Sequence, residues 1–292
     1  MRIICSCCLF LLLIGPVAQA HLPDYHMIMS RTAETHGRGL YQIEQDVVFR
    51  GDPDPLVVHE TWWISGEYAM RVTFEGRGSL KGQAQGAFIY DNSQRHWRDE
   101  NGALKTARLG EDWLEPLFHF RFSKNIKPRL VALQIAPAES LRDRHVQVTP
   151  NKETGPEYKY TPQSFMRLAR TGGTVSYAIG TPTPPDESSS MPGIWIEQDQ
   201  FVVRKIRTPS QALVTAEDYT RHPENLWLPR SRNLSWGTHS VQIHVGTVRP
   251  LGRQPRAAEV LKTSSLDAQK NPTLMLRLPE IDSIREFYQR FR

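Results

Sequence analysis

The residues of this 292-residue chain that could do chemistry are ten histidines and a wide scatter of carboxylates. Catalysis would require them at recognisable spacing. There is no Gly-x-Ser-x-Gly elbow, no Walker loop, no His-Glu-x-x-His pair and no dinucleotide-binding glycine fingerprint. The carboxylates are too dispersed for an acid–base pair to be assigned across strands. Cleavage after Ala20 would free the amine of His21, and an N-terminal histidine can chelate copper when a second one, such as His26 or His36, is near. Most histidines bind nothing, so the expectation is no metal, no cofactor and no enzymatic activity. Asn233-Leu234-Ser235 matches a glycosylation sequon, which carries no meaning in an ordinary bacterium.

The front of the chain limits where it works. Met1-Arg2 precedes an apolar run, Ile3 to Ile14, then Gly15-Pro16 and Ala18-Gln19-Ala20. This is the order of a cleaved signal peptide over residues 1–20. The run is too short for a membrane span, which takes roughly 20 residues. All three cysteines (Cys5, Cys7, Cys8) lie inside it, so the mature chain would have no disulfide framework, no zinc–cysteine site and no thiol nucleophile. They also precede the bulk of the apolar run, the wrong end for a lipid-modified precursor. A soluble exported protein without a lipid anchor is expected. The net charge is +5, and loss of Arg2 leaves +4. That mild excess suits anionic headgroups better than nucleic acid, since the cations are dispersed.

The elements that would position any site are mostly strands. A short helix is expected over 23–35, with Tyr25, Ile28 and Met29 on one face. In Leu40 to Phe49, Tyr41, Ile43, Val47 and Phe49 share a face that Gln45 interrupts. Leu56 to Ile64 carries Trp62-Trp63. Tyr68, Met70, Val72 and Phe74 alternate with Ala69, Arg71, Thr73 and Glu75. Phe88 and Tyr90 lie in a further strand, with Arg95 to Arg98 as its return. Residues 111–135 break the two-residue period and read as one or two short helices interrupted by Pro116 and Pro128. Residues 136–163 are polar and irregular. Strands resume at 165–170, 175–179, 194–196, 201–207, 212–219, 230–236 and 241–248, and Pro250 to Gln254 leave the sheet. The Pro/Ser-rich stretch 181–193 reads as a long loop within one domain. Ile281, Ile284, Phe287, Tyr288 and Phe291 form a broad apolar face on a last helix. The seven tryptophans (Trp62, Trp63, Trp97, Trp113, Trp195, Trp227, Trp236) serve either an ordinary core or a lined cavity.

ETWWISGEYAMRVTFEG (60–76), FIYDNSQRHW (88–97), EPLFHFR (115–121) and PGIWIEQDQFVVRKIRTPSQALVTAEDY (192–219) together resemble the outer-membrane lipoprotein-sorting family, the LolA/LolB-like carriers. Tyr90-Asp91-Asn92 to Trp97 stands where that family has an Asp-Gly hairpin closing on a tryptophan. The likeness covers about residues 23–248. It implies a mainly β fold, a curved antiparallel sheet forming an unclosed half-barrel with short helices over the open side. It also implies a periplasmic, non-enzymatic carrier for a lipid or acylated protein, with membrane-bound donor and acceptor proteins as partners. Ile64-Ser65-Gly66 replaces the family's Lys-Arg-Pro, and the tail has no counterpart, so a lipid or other amphiphile is the expected cargo. The layout expected is a half-barrel over 21–250 and a C-terminal extension over 251–292 with a terminal helix. The apolar interior would be lined by Tyr41, Ile43, Val47, Tyr68, Met70, Val72, Phe88, Tyr90, Phe201 and Val203, with Arg71, Thr73 and Glu75 outside. Trp113, Leu114, Leu117, Phe118, Phe120 and Phe122 would form a lid. The rival readings are an interaction or sensor module of the same fold with a packed interior, and an exported enzyme of unseen site.

Overall fold

A computed structural model describes residues 22–51, 53–91, 93–142, 147–149, 157–159, 164–185, 189–252, 258–267 and 271–292. The leader expected over 1–20, and His21, lie outside them.

The alternating segments build two antiparallel meanders that meet in the middle of one sheet. Strands β1 (Leu40–Phe49), β2 (Leu56–Gly66), β3 (Ala69–Gly76), β4 (Gln85–Asp91), β5 (Gln94–Arg98) and β6 (Leu104–Arg108) step outward from the centre to one edge. The chain then crosses the open side through helices α2 (Pro116–His119) and α3 (Ser123–Ala132), and makes a small separate hairpin, β7 (Gln147–Thr149) with β8 (Glu157–Lys159). It re-enters at the opposite edge. Strands β9 (Met166–Thr171), β10 (Thr174–Ile179), β11 (Gly193–Glu197), β12 (Val203–Arg207), β13 (Leu213–His222), β14 (Leu226–Trp236) and β15 (His239–Gly252) step back to the centre, where β15 pairs with β1. The 13-stranded sheet is antiparallel throughout, and its edge strands β6 and β9 do not pair, so it is not closed. Helix α1 (Tyr25–Glu34) precedes the sheet and α4 (Asp282–Arg290) ends the chain. The fold is thus mainly β, an unclosed half-barrel with short helices on its open side, as the sequence led one to expect.

Side-chain alternation places one apolar face of each strand in the concavity. Tyr41, Ile43, Val47, Met70, Val72, Phe88, Tyr90 and Val203 are all buried in one core with Leu117, Phe118, Ile126 and Leu130 of the helices. Several expectations change. Tyr68 lies in the turn before β3 and is 46% exposed, because the inward alternation begins only at Met70. Phe201 sits in the β11–β12 turn with φ 53°, partly buried, rather than in a strand. Arg71 is on the convex face but only 7% exposed, because the tail covers it. Strand β15 runs on past Pro250, which pairs with Tyr41 beside a register shift where a missing N–H is tolerated. Strand β6, β7 and β8 arise in stretches without a clear period. Pro116 opens α2, and Pro128 lies inside α3 instead of ending it. Asp24 caps α1 by accepting from the His26 N–H at 2.7 Å. Strands β10 and β11, on either side of 181–193, pair directly, with Ile179 opposite Ile194.

After β15 the tail follows the convex face. Leu266 and Leu274 pack there on Ala87 and Ile89. The Arg71 guanidinium donates to Val260 O (3.0 Å) and Ser265 Oγ (2.7 Å), and Arg98 Nε donates to Leu266 O at 2.9 Å. Strands β4 and β5 pair only from Ile89–His96 to Asp91–Gln94, which leaves a gap between Gln85 and Arg98. Met275–Arg277 occupies it, bridged to Arg98 on one side and Gln85 on the other. Gly86 makes room there, since a Cβ would stand 3.2 Å from the Leu276 Cα. Beyond the gap the chain is on the concave side, and α4 buries Ile284, Phe287 and Tyr288 in the main core.

Candidate functional site

The two ends of the half-barrel differ. At the end where β1 begins, α1, the β2–β3 turn and the start of α3 surround an open groove of about 970 Å³. Beyond the Thr35 C-cap of α1, Gly37 takes φ +69°, and a side chain at that position would strike the Tyr41 hydroxyl. The walls include Ala33, Tyr68, Ala69 and Phe122, with Phe122 60% exposed. A second groove of about 420 Å³ adjoins it, sharing Glu67, Tyr68 and Asn125, and reaches Trp113, Pro116, Ile126 and Leu133.

Five cations (Arg38, Arg108, Arg121, Lys124, Arg129) and three carboxylates (Glu34, Glu67, Glu111) line the two grooves. Arg121 Nη1 donates to Ser65 O at 2.7 Å, tying α3's approach to the β2–β3 turn. Asn125 Nδ2 donates to Glu67 at 2.6 Å. Arg129 donates to Trp113 O, and burial pushes its pKa down to about 10, so it stays charged at neutral pH.

Of the residues expected to line a cavity, only Tyr68 borders these grooves. Of the lid residues, only Trp113 and Phe122 do. Tyr41, Ile43, Val47, Met70, Val72, Phe88, Tyr90 and Val203 are interior packing, as are Leu114, Leu117, Phe118 and Phe120. Phe122 is exposed because it stands at the N-cap of α3, one residue before the helix turns its Ile126–Leu130 face inward.

At the other end α4 fills the concavity. Phe287 meets Phe49 edge-on at 5.3 Å, Tyr288 stacks on Phe74 at 4.1 Å, and Phe291 lies 5.0 Å from Trp236. Between the grooves and α4 stands a stack in which Trp113 lies 4.0 Å from Tyr90 and 6.0 Å from Trp62.

A buried polar network crosses this middle region. Gln45 and Glu60 are register partners on β1 and β2, and Gln45 Nε2 donates to Glu60 at 2.7 Å. Arg232 on β14 donates to both Glu115 oxygens (2.8 and 3.0 Å) and to Gln45 Oε1 (3.0 Å). Arg292 reaches Glu60 (2.9 Å) and Glu115 (3.1 Å). Burial works to raise the Glu115 pKa, but Arg232, the His119 bond and Arg292 outweigh it and hold the carboxyl well below its usual range. Sequence reasoning missed these residues as a group. The available signal was a polar residue breaking an apolar face, visible at Gln45 and repeated at Glu60 and Arg232.

Two buried histidines, His36 and His119, should make the protein acid-sensitive. Burial lowers the His36 pKa to about 3, against the opposing Phe120 O bond, and burial also lowers that of His119. A depressed histidine leaves the native state short of a proton that the unfolded chain takes up below about pH 6.5. Stability is therefore full above that pH and falls as pH drops toward 3, by about 1.4 kcal/mol per pH unit for His36. Urea unfolding at pH 6.5 and pH 5 should differ by about 2 kcal/mol from His36 alone, with His119 adding to the loss. A flat profile would mean that neither histidine is held neutral.

Among the described residues, no group of three or more His, Cys, Asp or Glu side chains is placed to hold a metal ion, and no helix is long and apolar enough to cross a membrane. The fold and grooves define an open antiparallel half-barrel with a helical cover. No family model and no curated protein matches the chain. Solved structures do. The chain is similar to a domain described as an outer membrane lipoprotein-sorting protein from Vibrio parahaemolyticus, at 9% identity and a TM-score of 0.48, covering 83% of this chain and 97% of that one. It is similar to a LolA superfamily protein from Nitrosomonas europaea, at 11% identity and a TM-score of 0.48, covering 84% and 100%. It is also similar to a DUF1329 family protein from Desulfovibrio piger, at 8% identity and a TM-score of 0.46, covering 82% and 97%. At these identities and TM-scores the likeness assigns neither a family nor a ligand to the chain.

Proposed function

We infer that this chain is an exported, periplasmic, non-enzymatic carrier that shelters the acyl chain of an amphiphile in the grooves between α1, α3 and the β2–β3 turn. The observation that carries the reading is the pair of large apolar side chains, Tyr68 and Phe122, left in solvent on the walls of one open groove. Groups of that kind gain by covering with hydrocarbon, at about 0.8 kcal/mol per methylene buried. The surplus of cations around them suits a negatively charged headgroup, whether on a lipid or an acylated protein. Membrane-bound donor and acceptor proteins would then load and unload it. The packed middle of the half-barrel supports a second reading, an interaction module of the same fold whose groove takes a protein partner.

The two readings part on one measurement. The carrier should bind N-phenyl-1-naphthylamine, and a dodecyl-chain anionic lipid should compete for the site. Tyr68→Asp and Phe122→Asp should each weaken binding about 10- to 100-fold, the equivalent of about 1.5–3 kcal/mol of apolar burial. Both positions are exposed, so the unfolding midpoint should hardly move. Undiminished probe affinity in both variants would sink the groove as the acyl site, and absence of any probe binding would favour the interaction module.

A further inference from the structure

Helix α4 lies on the concave side, in the space that the inner faces of β1 to β4 and β14 enclose, and its placement has features of a tethered occupant rather than of a fixed wall. The first is its route. The chain threads the gap between β4 and β5, where Met275–Arg277 is bridged to Gln85 and Arg98, so the tether is held by the sheet itself. That anchor lies before α4 in the chain and makes no use of α4's own contacts. The second is its N-terminus, which has no side-chain cap.

The third feature is electrostatic. Arg292 is buried with Glu60 and Glu115, and only Glu115 has a second cation beside it, Arg232. Glu115 keeps both Arg232 bonds and His119, and Glu60 keeps the Gln45 amide and the Trp62 N–H (2.9 Å). Removing one partner from a buried pair is normally costly because a charge is left without donors. Here withdrawal carries the guanidinium to water and leaves Glu115 paired with Arg232, while Glu60 keeps two donors on Oε2 and loses the one on Oε1, so the Arg292–Glu60 bond is the part of the latch that must break. The fourth is a link to the grooves. Arg290 binds Asp112 (2.8 and 3.0 Å) and Arg292 binds Glu115, on either side of Trp113, the residue that floors the second groove.

We propose that α4 is a displaceable plug, latched to the 112–115 segment by Arg290 and Arg292, whose withdrawal opens the half-barrel to an apolar chain entering past Trp113. The entry step rests on the carrier reading; the plug itself does not, and is tested without ligand. Amide hydrogen exchange of the full mature chain at neutral pH should show 282–290 opening at least tenfold more often than β1 and β14. In Arg292→Gln, α4 should exchange at least tenfold faster again while β1 and β14 are unchanged, and bound N-phenyl-1-naphthylamine at saturation should rise at least twofold. Exchange of α4 at the rate of β1 and β14 in the unmodified protein overturns the plug, and this comparison stands even if Arg292→Gln does not fold. Faster α4 exchange without extra probe uptake overturns entry into the half-barrel. Loss of probe binding in the Tyr68 and Phe122 variants concerns the groove alone, so failure of the plug and failure of the carrier reading give different results.

Discussion

Arg232→Met should lower the free energy of unfolding by about 3–5 kcal/mol, the usual cost of leaving a buried ion-pair partner alone. Arg232 gives Glu115 two bonds and Gln45 a third from a position where all three side chains are sealed from water. Its guanidinium also lies over the Phe118 ring at 5.1 Å, so helix α2 loses a packing surface as well. The Glu115 carboxylate would keep Arg292 and His119, but it would lose the largest of the attractions that offset its burial. Methionine nearly fills the volume without supplying charge. The double variant Glu115→Leu/Arg232→Met removes both charges together and should recover at least half of the loss, because a buried pair replaced by apolar groups is often close to neutral. Urea unfolding of the three proteins measures this. A loss under about 1 kcal/mol for Arg232→Met would mean that water reaches the network.

Trp62→Ala should cost about 3–5 kcal/mol, as large aromatic truncations in close-packed cores do. Trp62 is fully buried, 5.8 Å from Tyr90 and 6.0 Å from Trp113 in a near-parallel stack, with the Arg292 guanidinium 5.2 Å above it. Its N–H donates to Glu60 at 2.9 Å, so truncation removes a ring from the stack and a donor from a buried carboxylate. The neighbours belong to β2, β4, the residue pair that follows α4 and the segment before α2, and none can collapse into the void without leaving its own place in the fold. Trp62→Phe separates the two effects. It keeps a ring in the stack and loses the hydrogen bond, and should cost about 1–3 kcal/mol. Near-ultraviolet circular dichroism should change in both variants. Equal losses for alanine and phenylalanine would show that the hydrogen bond, not the stack, dominates.

Much of this architecture was legible along the chain because it rests on local periods. The two-residue alternation of Met70, Val72 and Phe74, and the helical face of Ile284, Phe287, Tyr288 and Phe291, state which side of each element is buried whatever it packs against. The resemblance of 60–76 and 88–97 to sorting carriers pointed to a half-barrel for the same reason, since those motifs are strand and turn patterns. Local period fails where an element ends. Tyr68 continues the alternation of its strand on paper, yet the backbone is already turning there, and Phe122 stands just outside the helix whose inner face it would extend.

Only the tertiary structure decided what fills the concavity. Gln45, Glu60, Glu115, Arg232 and Arg292 are separated by up to 247 positions along the chain, so no window of sequence pairs them. Each looks, alone, like a polar residue misplaced on an apolar face. Arg71 reads as solvated until the tail is laid over it, and the last helix reads as an extension until the segment before it, Met275–Arg277, is seen to pass through the gap between β4 and β5. Periodicity settles which face of an element avoids water. Which other element covers that face depends on chain path and on contacts between distant residues, and a one-dimensional pattern carries neither.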